Sequence, residues 1–113
     1  MRTEGRLQQD IFTAHWNQYP QERRRLFAIN NNSVNRIKGA QMKAIGVVSG
    51  VSDMIYLNPR MQKPQYLELK DPNGGVQSEN QKTFQSIVEA DGYEYFLIRS
   101  EKEFNNATGL DIK

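Results

Sequence analysis

Two stretches decide the fold: Gly50-Val51-Ser52-Asp53-Met54-Ile55-Tyr56-Leu57 and Tyr66-Leu67-Glu68-Leu69-Lys70. Both read as short strands, and the segment from Asn58-Pro59-Arg60 to Pro64 between them reads as a turn. Paired as an antiparallel hairpin about that turn, they place Asp53 roughly opposite Glu68. Directly opposed side chains on one face lie about 4.5–5.5 Å apart, and like charges there repel. Something positive must sit between them, and a divalent cation held by carboxylate oxygens is the natural candidate. Strand side chains alternate with period 2, so Glu68 and Lys70 share a face while Leu67 and Leu69 point away. One metal and one ammonium then converge on one spot, which suits attack on a phosphodiester. Taken alone, Glu-x-Lys on a strand is more often a solvated face, and an Asp at a strand start is more often a turn residue.

The surrounding elements follow from local signals. Thr3 to Asn17 reads as an amphipathic helix, with Thr3 as N-cap and Leu7, Ile11, Ala14 and His15 along one stripe. Arg25 to Asn30 reads as a short strand with a polar stop at Asn30-Asn31-Asn32. Residues 33–50 lack a clean period and are punctuated by Gly39, Gly46 and Gly50, so they read as a long working loop. Beyond the hairpin, Asp71-Pro72-Asn73-Gly74-Gly75 is a turn cluster. Ser78-Glu79-Asn80-Gln81 is a capping box that opens a helix with Phe84, Ile87 and Val88 inward and Gly92 at its end. Tyr93 to Arg99 is a strand, and Ser100-Glu101-Lys102-Glu103 is a second capping box before a short last helix ending near Gly109. The strands flanking the Ser78 helix should be parallel neighbours joined by a right-handed crossover. The expected fold is α/β, with a mixed sheet of about four strands flanked by helices and residues 1–113 forming one domain.

Net charge is only +2, yet it is unevenly spread. Residues 1–70 carry 11 Lys/Arg against 5 Asp/Glu, and residues 71–113 carry 4 against 8. The basic half holds Arg23-Arg24-Arg25 and, within the Gly-punctuated loop, Arg36, Lys38 and Lys43 as candidate phosphate contacts. The mean hydropathy of -0.76 suits a small protein with a large working surface. No apolar run approaches membrane-spanning length and no signal peptide is evident, so no membrane partner and a cytoplasmic home are expected.

Much chemistry is excluded by what the chain lacks. Cys is absent, so there is neither a disulfide frame nor a thiolate metal site. His15 is the only histidine, which rules out a histidine metal cluster; it reads as a packing residue on the first helix. No Gly-Lys-Ser/Thr phosphate loop exists, and Gly46-x-x-x-Gly50 is not a dinucleotide fingerprint, so no nucleotide cofactor is expected. What remains is hard-cation, oxygen-ligand chemistry at Asp53, Glu68, the carbonyl of Leu69 and one further carboxylate.

Assembled, the pattern resembles the VRR-NUC (virus-type replication-repair nuclease) domain of the PD-(D/E)XK nuclease superfamily. The resemblance is carried by Gly46-x-x-x-Gly50-Val51-x-Asp53, Tyr66-Leu67-Glu68-Leu69-Lys70, Pro72, Gly74 or Gly75, Ser78-x-x-Gln81 and the Gly92-Tyr93 strand. It spans Glu4 to about Phe104, and it implies a restriction-endonuclease-like αβββαβ core and divalent-metal phosphodiesterase activity on DNA. Carried over by resemblance, Asp53, Glu68 and the Leu69 carbonyl ligate Mg²⁺ or Mn²⁺, and Glu4 is the helix-borne acid added to the site. Lys70 orients the attacking water, and Gln81 is the helix glutamine beside the site. Gln81 is equally explained as a capping-box residue, and Glu4 as a first-turn acid favoured by the helix dipole. Two features depart from the family: Ser52 stands where Pro is usual, and the turn between Lys70 and Gln81 is one residue longer.

Stand-alone members resemble dimeric junction-resolving nucleases, which implies a homodimer acting on branched or Holliday-junction-like DNA, in a bacterial or phage setting. The alternatives are a non-catalytic junction-binding module or nuclease subunit that needs a partner, and a nuclease directed to RNA.

Overall fold

The computed structural model describes residues 2–30 and 36–113, the side chains of residues 36–38 excepted. Thr3 starts the first helix as its residue type predicts, its hydroxyl accepting from the Arg6 N–H at 3.1 Å. That helix, α1, spans Glu4–Gln18 and buries Leu7, Ile11 and His15 along one stripe. A single 3₁₀ turn, Pro20–Glu22, follows because Pro20 cannot continue an α-helix.

Strand β1, Leu26–Ala28, is shorter than the Arg25–Asn30 expectation. Main-chain bonds from Leu57 to the Arg25 carbonyl and from Ile29 to the Asp53 carbonyl extend its pairing at both ends. Strands β2, Met54–Asn58, and β3, Lys63–Leu69, form the expected antiparallel hairpin with Met54 opposite Leu67. Strand β4, Glu94–Ile98, lies parallel to β3, and the sheet order is β1-β2-β3-β4. Helix α3, Glu79–Ala90, provides the crossover between β3 and β4. Helix α4, Glu101–Thr108, ends where Gly109 takes a left-handed φ of 80°. The result is the α/β architecture expected of a restriction-endonuclease-like core, with a mixed four-stranded sheet flanked by helices.

Three expectations need correction. Residues 33–50 are not loop throughout, because Arg36–Ala44 forms a helix, α2. Gly39 inside it costs about 1 kcal/mol relative to Ala, which weakens a helix without stopping one. The stop is Gly46, whose φ of 97° suits glycine. At Ser100 the hydroxyl caps the Glu103 N–H, but the Glu103 carboxylate accepts from Arg99 N rather than Ser100 N, so the second box is only half formed. On α3, Val88 is buried and Phe84 half-buried, whereas Ile87 is 56% exposed and does not join the inward stripe.

One sheet face carries Met54, Tyr56, Leu67, Leu69 and Ile98 against Leu7 and Ile11 of α1 and Phe104 of α4. Each such side chain contributes about 1.5–3 kcal/mol by leaving water. The opposite face is partly covered by α3, where Tyr66, Phe84 and Tyr95 meet edge to face. That second face carries Glu68.

At the hairpin end of the sheet a polar group is buried in the core. His15 Nε2 lies 3.1 Å from Glu22 Oε1, and the Tyr56 hydroxyl donates to the same oxygen at 2.6 Å. Burial works to raise the Glu22 carboxyl, but the hydrogen bonds from Tyr56 and His15, with the charges of His15 and Arg60, hold it below the ordinary carboxylate range. A depressed folded-state value stabilises above the unfolded value and is lost as pH falls through the folded one. Tyr56→Phe should therefore cost about 1.5–3 kcal/mol at neutral pH, the range for hydrogen bonds to charged groups. Denaturant melts should show the gap to wild type narrowing in acid; a gap unchanged down to the unfolding pH would refute this account.

Candidate active site

The hairpin register carries the site. Met54 pairs with Leu67, so one step further Asp53 lies opposite Glu68, as the sequence spacing implies. Asp53 is held on both sides: its carbonyl accepts from Ile29 N at 2.9 Å, and its Oδ2 accepts from Leu69 N at 2.8 Å. The Leu69 backbone therefore borders the site. Gly50 lets the preceding loop close onto α3, because a Cβ there would meet Asn80 main-chain and side-chain atoms at 2.6 Å.

Glu4 reaches the same place from the first turn of α1. Arg2 fixes that end of the helix, donating to both Glu101 oxygens at 2.6 and 2.7 Å and to Asp10 Oδ2 at 3.2 Å. One carboxylate oxygen from each of Glu4, Asp53 and Glu68 lies within 4.8 Å of the others. Glu68 is fully buried, while Glu4 and Asp53 are half-buried.

Lys70 and Gln81 complete the cluster. Gln81 Nε2 donates to Glu68 Oε2 at 2.9 Å, and Gln81 Oε1 accepts from Lys70 Nζ at 2.9 Å and from Ser78 N at 2.8 Å. The two readings of Gln81 thus coincide in one side chain: the capping box orients the amide that ties Glu68 to Lys70. Beyond Lys70, Arg99 fastens the 71–75 turn by donating to the carbonyls of Asp71 and Gly75 at 3.0 and 2.7 Å.

The model of the VRR-NUC domain family matches residues 3–102, nearly the whole chain. The chain belongs to the VRR-NUC domain family. Membership carries a nuclease-type function with DNA as the substrate. Comparison with curated proteins and with solved structures found no match. Among the described residues, no helix is long and apolar enough to cross a membrane.

Electrostatics test whether this VRR-NUC cluster suits a cation. Burial, then the hydrogen bond and charge of Asp53, push Glu68 up to about 8, against the opposing pull of Lys70 and Tyr95. Glu4 is also raised, first by burial and then by Asp53. Burial and the neighbouring Asp53 together outweigh the opposing charge of Lys70 at both carboxyls. The donors are all oxygens, the preference of hard divalent ions such as Mg²⁺. The residues fit such an ion.

Tyr95, read from the sequence only as part of the Tyr93 to Arg99 strand, also reaches the site. Tyr95 is buried, and its hydroxyl donates to Glu68 Oε1 at 3.3 Å while accepting from Gln77 Nε2 at 3.3 Å. The parallel pairing of Tyr66 with Tyr95 puts that ring on the Glu68 face, a signal available once the strand order is known. Ser52, in the usual Pro position, is fully buried and donates to the Met54 carbonyl at 3.2 Å. Lys43 is exposed near the end of α2; the side chains of Arg36 and Lys38 lie outside the described residues.

A carboxyl raised from about 4.5 to about 8 on folding binds more protons in the native state across that window. Native stability should therefore fall as pH rises from about 5 to about 8 in EDTA. Glu68→Gln should flatten that slope, read as melting temperature against pH for both proteins. Parallel slopes for the two would show that Glu68 is not the group responsible.

Proposed function

We propose that residues 1–113 form a single divalent-metal-dependent nuclease domain that hydrolyses DNA phosphodiester bonds, with Glu4, Asp53, Glu68, Lys70 and Gln81 as its working residues. The observation that carries this reading is the convergence of three carboxylate oxygens within 4.8 Å beside a lysine tied to Glu68 through one glutamine. Glu4, Asp53 and Glu68, with the Leu69 carbonyl, would hold Mg²⁺ or Mn²⁺. The bound ion would supply charge that offsets the crowded carboxylates and acts as a Lewis acid on the phosphodiester.

The remaining work falls to the chain itself. Lys70 Nζ already gives one hydrogen to Gln81 Oε1, and an ammonium carries three. Its other hydrogens can hold the attacking water or a non-bridging phosphate oxygen, steadying negative charge as the phosphorus becomes five-coordinate. Gln81 fixes where the ammonium points. Tyr95, itself held by Gln77, bonds the far oxygen of Glu68, leaving its position set by the fold rather than by the substrate.

We further propose a homodimer acting on branched or Holliday-junction-like DNA. Two active sites related by a two-fold axis match the symmetry of a four-way junction. A bacterial or phage-infected cytoplasm and a part in DNA repair accord with the family.

The test is cleavage of a four-way junction against linear duplex and single-strand controls, in Mg²⁺, Mn²⁺ or EDTA. Metal-dependent cutting, preferring the junction and abolished in Glu68→Ala, is expected. Tight junction binding by a wild-type chain that never cuts would replace this reading with that of a binding module needing a partner. Preferred cutting of matched RNA would redirect the substrate.

The division of labour makes a narrower prediction. Lys70→Ala should reduce turnover by about 10²-fold or more while metal affinity, read by calorimetry, changes little. Glu68→Ala should lose both. Equal losses of metal affinity in the two variants would contradict these roles.

A further inference from the structure

The acidic cluster does not stand at a blank surface. An open groove of about 530 Å³ runs between α1 and the edge strand β1, lined by Gly5, Gln8, Gln9, Phe12, Phe27 and Met54. Its end abuts the candidate active site, because Gly5 follows Glu4 and Met54 follows Asp53 in the chain. The groove lies within the range of ligand sites, about 300–1,000 Å³. No charged residue lines it. Phe12 and Phe27 line it together with two side-chain amides that make no hydrogen bond among the described residues.

A row of rings leads out of the groove toward positive charge. Phe12 stacks on Trp16 with centroids 5.8 Å apart, and the Arg23 guanidinium lies 4.7 Å from the Trp16 ring centre. Arg23 is also held by a 3.0 Å bond to the Trp16 carbonyl. Arg24 follows, exposed and with a left-handed φ of 78°, and Arg25 donates to the Leu57 carbonyl. The arginine run therefore sits at one end of the groove and the acidic cluster at the other.

We infer that this groove takes a nucleobase from an unpaired stretch of the DNA strand, with Arg23 contacting the backbone beyond it. The inference rests on the nuclease reading for its location beside the cluster, and on the groove for its chemistry. A neutral, aromatic-walled slot suits a base face and excludes a phosphate. The amides of Gln8 and Gln9 can meet the polar edges of a base. Aromatic platforms combined with cationic tracks are the usual means of holding single strands. A base inside a duplex cannot enter, so the groove takes a base left unpaired where strands branch near the cut.

Trp16 is the only tryptophan, so tryptophan fluorescence, excited beyond the absorption of the five tyrosines, reports on this row. The test is titration of the full chain in EDTA with an oligothymidylate of about ten nucleotides, within single-strand site sizes, and with a blunt duplex of the same length. The oligothymidylate should produce a saturable change in Trp16 fluorescence, and the duplex none. Phe27→Ser and Arg23→Glu each should weaken the single-strand complex by about tenfold, measured by anisotropy of a labelled strand. Arg23→Glu should also make binding less salt-dependent. Both positions are exposed, which guards against simple loss of fold; Phe12→Ala is a third variant on the groove wall.

Single-strand binding that leaves Trp16 unchanged, or that both exposed variants retain in full, would overturn the inference, as would an absence of binding. Cleavage measured in parallel separates the two readings. A chain that cuts DNA without the Trp16 response loses the groove and keeps the nuclease. A chain that gives the response without cutting keeps the groove and loses the nuclease.

Discussion

Three carboxylates brought within 4.8 Å repel one another, and the rest of the structure around them can be understood as the means of holding them there. Each is fixed by a different device. Glu68 is carried on a buried strand and gripped by Gln81 and Tyr95. Asp53 is caught between strands by the Ile29 and Leu69 amides. Glu4 depends on a helix end anchored through Arg2 to α4. The upward shifts at Glu68 and Glu4 come first from burial and then from the nearness of Asp53. Proton uptake and cation binding are alternative ways to relieve the repulsion, so they should compete.

The sheet separates two polar centres by function. At the hairpin end, Tyr56 and Arg60 surround Glu22, Asn58 bonds Gln65, and Gln65 bonds Glu94, each polar group paired within the protein. No buried side-chain polar atom among the described residues lacks a partner. That end is closed and neutralised. At the other end the carboxylates outnumber their positive partner. An all-satisfied network locks one sheet end in place, while an under-compensated cluster at the opposite end remains available to a ligand.

Position along α1 links the site to its surroundings. The stripe of Leu7, Ile11 and His15 is spent on the core. The neighbouring stripe of Gly5, Gln8, Gln9 and Phe12 stays at the edge of the sheet and lines the groove. Because side chains three and four residues apart share a helix face, one helix can deliver Glu4 to the acidic cluster while presenting a separate wall beside it. The arginine run, which composition alone marked only as positive charge, gains a location through the Trp16–Arg23 contact.

Much of this was legible in the sequence because the signals are local. Thr3, Ser78 and Gly109 mark helix ends through hydrogen bonds that span only a few residues, and alternation along Glu68-Leu69-Lys70 sets which side chains share a face. The Asp53–Glu68 opposition followed from hairpin arithmetic about one turn. Helix α2 escaped because a glycine lowers helix propensity without forbidding the helix, and propensity is a small term that context can override. Tyr95 escaped because its bond to Glu68 spans 27 residues and requires the parallel β3–β4 pairing. Sequence by itself determined the elements other than α2, most of their caps and the family. Tertiary structure alone decided how closely Glu4 approaches Asp53 and Glu68, that the Gln81 amide bonds both Glu68 and Lys70, and that a neutral groove adjoins them. Those are contacts between segments distant in the chain, fixed by packing rather than by any local preference.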